Sequence, residues 1–273
     1  MTTWLKAVQG LRERREPGVL TTVTAVRGHA PRDAGAKMVV SAETTWGTVG
    51  GGNLEAVAVE RAREMIASGS TEPVAFETSL SDKARYQHGV QCCGGEVTLL
   101  LEPLPVVPSV AIFGMGHVGV ELARILARHD LELHLVDSRS EHLADDQLAV
   151  LADAVAGVHP HQVPVLPELV IGELPPGSHL LVMTHDHAED IALCDAALRD
   201  GRAASIGLIG SSAKWSRFRG QLADQGHTAD AIDRITTPIG LPDLAGKEPA
   251  TIAVSVAARL LQLFTADRTE VTT

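Results

Sequence analysis

The chain has 273 residues, of which 45% are apolar but only 3% are aromatic, and its formal net charge is −11. The length favours two domains, and the core must be built largely from aliphatic side chains. An acidic surface repels polyanions, so nucleic acid and anionic membrane surfaces are not expected partners.

The start of the chain and its cysteines indicate a cytoplasmic protein. Residues 1–18 carry a cluster of charged side chains and lack the apolar segment of a signal peptide. No run reaches the ~18 apolar residues that a membrane-spanning helix needs. Cys92, Cys93 and Cys194 are too few for a disulfide framework, which favours a reducing compartment.

The first part of the chain predicts a small, glycine-rich α+β domain. The predicted elements are a helix at 3–16 and strands at 19–26, 36–41, 44–49, 74–78 and 96–102. A second helical pattern follows three consecutive glycines, and Asn53 is its expected N-cap because a side-chain oxygen there can accept from the first turn.

Three prolines at 103, 105 and 108 mark the predicted boundary between domains 1–104 and 109–273. Beyond them strands and helices alternate, which is typical of a Rossmann-type, doubly wound parallel sheet. The predicted strands are 110–113, 131–136, 179–183 and 203–208, with a first helix at 118–128 and a last one at 248–264. Residues 155–167 carry no clear pattern. The apolar side of the last helix fits either a core or the surface of a homodimer.

A glycine-rich turn follows the strand 110–113 directly. In such a turn Gly114 permits the tight bend, Gly116 lets a pyrophosphate approach the backbone, and Gly119 lets helix and strand pack closely. Asp137 ends the next strand, where a carboxylate accepts from a ribose 2′-hydroxyl and so favours NAD over NADP. The alternative is the same fold without a nucleotide. His117 is either a phosphate donor or a surface histidine.

A second glycine-rich turn, Gly50-Gly51-Gly52, also leads from a strand into a helix. Such a run is costly in entropy unless the backbone must bend or closely approach a ligand. With Arg32 and Lys37 upstream, the turn predicts a site for an anion. The alternative is a tight turn with solvated cations.

The adjacent thiols of Cys92 and Cys93 are followed by two glycines. A thiolate is a soft metal ligand and a nucleophile for persulfide chemistry, whereas the spacing of a zinc site is absent. The alternative is that one of the pair is a small buried apolar residue. Cys194 lies in an apolar-periodic helix and is expected in the core.

A histidine-rich turn, Thr184-His185-Asp186-His187, follows the strand 179–183 at the sheet edge where ligands bind in doubly wound folds. A metal site here is the less favoured interpretation, because neighbouring residues of a strand end point in opposite directions. We expect His185 to bond a ligand or the loop. Farther on, Ser211 is a natural N-cap, and Lys214 either reaches an anion or is solvated.

Taken together, these motifs resemble the xanthine dehydrogenase accessory family of the XdhC/CoxI type. The stretches that carry the resemblance are residues 30–38, 47–55, 91–95, 112–119, 184–187, 207–214 and 238–240. Departures from the family pattern are Thr237, where a cysteine is common, and Ala250, Thr251 and Arg259, where acidic residues are common.

The resemblance implies a non-enzymatic chaperone of the molybdenum cofactor. Members bind the cofactor, protect it while a cysteine desulfurase supplies its sulfido ligand, and pass it to apo xanthine dehydrogenase, an enzyme of purine catabolism. Arg32, Lys37 and the glycines 50–52 would then hold the phosphate or pterin, with Cys93, and less so Cys92, near the molybdenum. The alternatives are an NAD-dependent oxidoreductase that uses the turn at 114–119, or a scaffold without a ligand.

Overall fold

The computed structural model describes residues 3–80, 95–244 and 246–270, with side chains as far as Thr265. Contacts along the chain form two compact units. The N-terminal unit comprises Met1–Val106 with Thr265–Thr273, and the C-terminal unit comprises Val107–Phe264.

The N-terminal unit is an antiparallel sheet with helices packed on it. Its elements are α1 (Thr3–Arg14), β1 (Gly18–Arg27), β2 (Lys37–Val40), β3 (Thr45–Gly47), α2 (Gly52–Ala67), β4 (Val74–Ser79) and β5 (Glu96–Leu104). The strand order is β3-β2-β1-β5-β4, and every pairing is antiparallel. The predicted strands therefore form one sheet.

The core of the N-terminal unit follows from two periodicities. Val19 and Val23 share one face of β1, and Leu54, Ala58 and Ala62 lie at helical spacing on α2; all five are buried. The apolar stripe of α2 therefore covers the sheet.

The predicted cap of α2 is wrong. The helix begins at Gly52 with Gly51 as its N-cap, and Asn53 is a buried residue of the first turn. Gly51 has φ 71°, so the helix begins two residues earlier than the side-chain pattern indicated, at a bend made by the glycines.

The C-terminal unit is built on a six-stranded parallel sheet. Its elements are β6 (Ser109–Phe113), α3 (His117–Leu126), β7 (Glu132–Asp137), α4 (Asp145–Leu148), β8 (Gly157–Gln162), α5 (Val170–Glu173), β9 (His179–Val182), α6 (His187–Asp200), β10 (Ser205–Leu208), α7 (Ser212–Asp224), α8 (Ala229–Ile232), β11 (Ile235–Thr236) and α9 (Pro249–Glu270). The order is β11-β10-β9-β6-β7-β8, and all pairings are parallel. The predicted Rossmann-type sheet is confirmed.

Apolar layers cover both faces of this sheet. Side chains of α3 and α9 fill one layer, and side chains of α6 and α7 fill the other. Val256 and Leu260 of α9 lie in the first layer, so the apolar side of that helix contributes to this core. Cys194 is fully buried in the second, as expected, and burial raises the pKa of its thiol to about 12.

The chain order reverses between β6 and β9, which therefore flank the point of the sheet edge where ligands bind in such folds. In the described part of the chain, no helix combines the length and apolarity needed to cross a membrane.

Candidate functional site

The glycine-rich turn of the N-terminal unit closes on a carboxylate of its own helix. Oε2 of Glu55 accepts from the Gly51 N–H at 3.0 Å and from the Thr48 hydroxyl at 2.6 Å. The Thr48 hydroxyl oxygen in turn accepts from the Gly50 N–H at 3.2 Å. The Gly51 N–H lies at the N-cap of α2, so Glu55 takes one of the donors predicted for an external anion.

The two cations predicted for this turn lie in different environments. Lys37 donates from Nζ to the Thr22 hydroxyl at 2.8 Å, and its ammonium lies 5.4 Å from the Trp4 ring centroid. Arg32 is exposed. Pro31, beside it, packs against Gly50, because a Cβ at Gly50 would come within 2.8 Å of the Pro31 ring. The anion site at residues 50–52 remains a prediction, with a carboxylate already at its centre.

Cys92 and Cys93 lie outside the described residues, and their predicted roles remain predictions. The carbonyl of Gly95 accepts from the Leu80 N–H at 2.7 Å. A Cβ at Gly95 would lie 2.7 Å from the Arg27 carbonyl oxygen, so the chain passes close to the end of β1 here. Only glycine fits this close approach.

The turn at residues 114–119 places its three glycines in different surroundings. Gly114 has φ 106°, and a Cβ there would lie 2.5 Å from the Met183 carbonyl oxygen. A Cβ at Gly119 would meet the Gly114 carbonyl oxygen. A Cβ at Gly116 would meet nothing within 4 Å, although this residue has an ordinary φ of −72°. The fold requires Gly114 and Gly119, whereas Gly116 leaves open space at the start of α3.

Asp137 is saturated by donors from the protein. Its Oδ1 accepts from the Arg139 backbone N–H at 2.9 Å and from Arg139 Nε at 3.0 Å. Its Oδ2 accepts from the Met115 N–H at 2.7 Å and from Arg139 Nη2 at 3.0 Å. Burial acts to raise the pKa of Asp137, but the hydrogen bonds from Arg139 and Met115 outweigh it and hold the pKa below its usual value.

The saturated carboxylate bears on the predicted nucleotide. The Asp137 side chain is 2% exposed, and its four hydrogen bonds use the acceptor sites that a ribose hydroxyl would need. Asp137 therefore has no acceptor site left for the predicted hydrogen bond from an NAD ribose. The carboxylate instead ties the glycine-rich turn to the end of β7.

A cavity of about 450 Å³ opens beside Gly116. It is lined by Met115, Gly116, His117, Val120, Glu121, His142, Gln147, Glu248, Pro249 and Ala250. Nδ1 of His142 lies 2.8 Å from the Met115 carbonyl oxygen and donates to it, which leaves Nε2 of the neutral ring as an acceptor. The cavity combines apolar walls with donors and acceptors, as small-molecule sites do.

The predicted ligand cation Lys214 is held inside the unit. Its ammonium pairs with Oδ2 of Asp190, which is fully buried, and donates to the Ile209 carbonyl at 2.9 Å. Oδ1 of Asp190 accepts from the Thr184 hydroxyl at 2.8 Å and from its N–H at 3.1 Å. This network joins the ends of β9 and β10 and neutralises the charge of Lys214. The predicted N-cap at Ser211 is confirmed, since its hydroxyl accepts from the Lys214 N–H.

The histidine-rich turn forms a helix cap. Asp186 is the N-cap of α6 and accepts from the Ala188 N–H at 2.7 Å, while His185 is exposed. Across the described ranges no group of three potential ligands is arranged to hold a metal ion.

Glu189 carries a charge near the same sheet edge. Its carboxylate accepts from the Ser138 hydroxyl at 3.3 Å. Burial raises the pKa of Glu189; the nearby Asp137 and Asp190 raise it further, against the opposing effects of Ser138 and His185. Glu189 lies outside the motifs that predict a site from the sequence.

The parallel sheet, its reversal point and the glycine-rich turn beside an open cavity define a protein with a Rossmann-type domain. The family model described as "XdhC Rossmann domain" matches residues 110–260. A second model, described as "XdhC and CoxI family", matches residues 11–77. The chain belongs to the XdhC family, which confirms the resemblance inferred from the motifs.

Two curated Escherichia coli K12 proteins are similar. PaoD, described as a molybdenum cofactor insertion chaperone, is 24% identical over 89% of this chain and 82% of its own length. YqeB, whose function is uncharacterised, is 23% identical over 93% of this chain but only 44% of its own length, so the chain spans less than half of that relative. A solved Bacillus halodurans structure described as a xanthine dehydrogenase matches 97% of this chain and 96% of its own at 18% identity and a TM-score of 0.47.

Proposed function

We propose that this protein binds the molybdenum cofactor and inserts it into a molybdenum enzyme. One observation supports this proposal most: in a chain of the XdhC family, Gly116 leaves open space beside a cavity of about 450 Å³. The similarity to PaoD agrees with it, since that protein is described as a molybdenum cofactor insertion chaperone.

The residues around the cavity fit the chemistry of the cargo. The cofactor carries a phosphate and a flat pterin whose edge has both donors and acceptors. Gly116 allows a ligand to approach the backbone at the N-terminus of α3, which favours an anionic group. The carboxylates of Glu121 and Glu248 can accept from a pterin amino group, and His117 and Gln147 can donate.

The finer parts of the proposal concern partners and sulfur chemistry. We infer that the receiving enzyme is apo xanthine dehydrogenase and that a cysteine desulfurase supplies the sulfido ligand while the cofactor is bound. Cys93, followed by two glycines, is the thiol we assign to the molybdenum, with Cys92 as its neighbour. The protein would act as a cytoplasmic carrier without a reaction of its own.

The test begins with protein purified from a host that makes the cofactor. Oxidation releases a fluorescent pterin, and mass spectrometry measures molybdenum in the same sample. We expect pterin and metal in equal amounts, close to one per chain. If neither appears, even after incubation with free cofactor, the carrier function is excluded.

The role of Cys93 has a separate test. We expect Cys93→Ala to carry less molybdenum than the wild type and to have an unchanged melting temperature. The control is Cys194→Ala, which removes a buried thiol from the core and should lower stability and leave the metal-to-pterin ratio of the folded protein unchanged. Wild-type metal content in Cys93→Ala would remove this thiol from the site.

A further inference from the structure

A second cavity, of about 440 Å³, opens at the carboxyl end of β10. Its lining is His187, Ile209, Gly210, Ser211, Ala213, Lys214 and Arg217, and it shares no residue with the cavity beside Gly116. Every polar side chain of this lining carries an N–H or O–H donor, and none of these lining residues is acidic. In a chain of net charge −11, a lining of this composition selects for a ligand rich in acceptors.

Arg217 differs from most arginines of the C-terminal unit. Six others pair with carboxylates: Arg124, Arg128, Arg139, Arg199, Arg202 and Arg219. Among the described residues Arg217 has no acidic partner, and its Nη2 lies 3.0 Å from Nδ1 of His187. A guanidinium without a carboxylate keeps its charge and its planar set of donors for an external anion.

The contact with Arg217 determines which donor His187 presents. A guanidinium can only donate, so Nδ1 of His187 accepts and the ring proton of the neutral imidazole lies on Nε2. The imidazole edge-on contact with Phe218, with ring centroids 6.2 Å apart, helps to fix the ring. His187 therefore adds a neutral donor beside the charge of Arg217.

The other polar residues of the lining complete the donor set without adding net charge. Lys214 is 11% exposed and is neutralised by the buried Asp190, so it forms a fixed wall of the cavity. Oγ of Ser211 accepts from the Lys214 N–H at 3.2 Å, which leaves the hydroxyl hydrogen free to donate. The cavity thus presents one uncompensated positive charge, two neutral donors and apolar walls.

We propose that this cavity binds the phosphate group of a small phosphate monoester. Phosphate oxygens only accept, and a planar guanidinium matches two of them at once. The volume is that of a small-molecule site, larger than a bare phosphate needs, and Ile209 and Ala213 offer contact to an organic group. The lining shares no residue with the cavity beside Gly116. Because the phosphate of the molybdenum cofactor is itself a monoester, the probe chosen for the test carries no pterin.

The test is calorimetric titration of the full chain with glycerol 3-phosphate, inorganic phosphate and glycerol at constant ionic strength. We expect glycerol 3-phosphate to bind more tightly than inorganic phosphate, and glycerol to give no saturable signal. Arg217→Gln should weaken binding by about tenfold or more, the size expected when a charge-assisted pair is lost. Arg219→Gln is the matched control on α7, since its arginine already pairs with Asp233. It should change the dissociation constant less than about twofold.

Three outcomes would overturn the proposal. The first is no saturable binding of either phosphate probe by the folded wild type. The second is an equal loss of affinity in Arg217→Gln and Arg219→Gln, which would indicate an unspecific charge effect. The third is equal affinity for inorganic phosphate and glycerol 3-phosphate, which would exclude an organic monoester as the ligand. Melting curves of each variant verify the fold, and cofactor content does not enter any of these readouts.

Discussion

The two glycine-rich turns of this chain have the same course, from a strand through glycines into a helix, and different surroundings. At residues 50–52 the carboxylate of Glu55 binds the turn from within the first helical turn. At residues 114–119 the corresponding side chain four residues after Gly116 is Val120, which lines the open cavity. The difference lies at the N-cap: Glu55 accepts from the N-cap Gly51 of α2, whereas Asp137 accepts from Met115 and leaves the N-cap Gly116 of α3 beside an open cavity.

The largest expected effect concerns glycines that the C-terminal fold requires. Gly119→Ala places a Cβ against the Gly114 carbonyl oxygen, which neither backbone can avoid without shifting. We expect a loss of about 3 kcal/mol in the free energy of unfolding, measured by urea denaturation. Gly220→Ala on α7 is the control, because a Cβ there meets nothing within 4 Å, and it should leave the stability unchanged or raise it slightly. Equal stability of the two variants would contradict the described packing.

The next largest effect on stability concerns the turn at residues 50–52, which is bound by Glu55. Glu55→Ala removes the acceptor of the Gly51 N–H and the Thr48 hydroxyl. We therefore expect the free energy of unfolding to fall by about 1–3 kcal/mol. Glu55→Gln keeps an oxygen that can accept from both and should cost less. Glu64→Ala, exposed on the same helix, is the control and should lie within about 0.5 kcal/mol of the wild type. Faster hydrogen exchange of the Gly51 amide in Glu55→Ala would identify the lost contact; wild-type exchange would argue against it.

The network around Asp137 predicts a pH dependence. Its pKa in the folded protein lies below 3.8, so the stability it contributes is present above about that pH and is lost as the pH falls through the lower, folded value. We expect Asp137→Asn to cost about 2 kcal/mol at pH 7 and the difference from the wild type to shrink at acid pH. Denaturation curves at a series of pH values measure this difference. A difference that grows on acidification would show that the network is wrongly assigned.

The smallest effect concerns Glu189, whose carboxylate accepts from Ser138 alone among described hydrogen bonds. Because its folded pKa is raised above 4.5, its charge is unfavourable at neutral pH, and this cost disappears as the pH falls through the raised value. Glu189→Gln should therefore be more stable than the wild type at pH 7, by at most about 1 kcal/mol, and equal to it at acid pH. Asp224→Asn, an exposed change on α7, controls for net charge. A destabilised Glu189→Gln would show that Ser138 outweighs burial.

Local patterns were sufficient to predict most elements of both units. Gly114 and Gly119 were assigned their bend and close packing from spacing alone, and the structure gives both the expected contacts. The strand β8 escaped prediction because His159, Pro160 and Gln162 are exposed and break the apolar pattern of a buried strand.

The carboxylates that accept hydrogen bonds from the two turns could not be predicted in the same way. The hydrogen bond from the Met115 N–H to Asp137 joins the ends of β6 and β7, which only the folded sheet brings together. Periodicity carries no information about such contacts. The role of Glu55 was more predictable from the sequence, because an acidic residue in the first turn of a helix often accepts from the free N–H groups there.

The comparison of the two turns is tested most directly by the cofactor content of two variants. Gly116→Asp supplies a favoured N-cap for α3 in open space, so the fold should persist while a carboxylate faces the cavity. Glu55→Gln removes the charge from the other turn. Gly172→Asp adds the same charge as Gly116→Asp at another open position and is the control.

Each variant is purified from a cofactor-producing host, and the released pterin is measured per chain. We expect Gly116→Asp to lose most of the pterin, while Glu55→Gln and Gly172→Asp retain the amount found in the wild type. Full pterin content in a folded Gly116→Asp, together with its loss in Glu55→Gln, would assign the ligand to the N-terminal turn and contradict the site at Gly116.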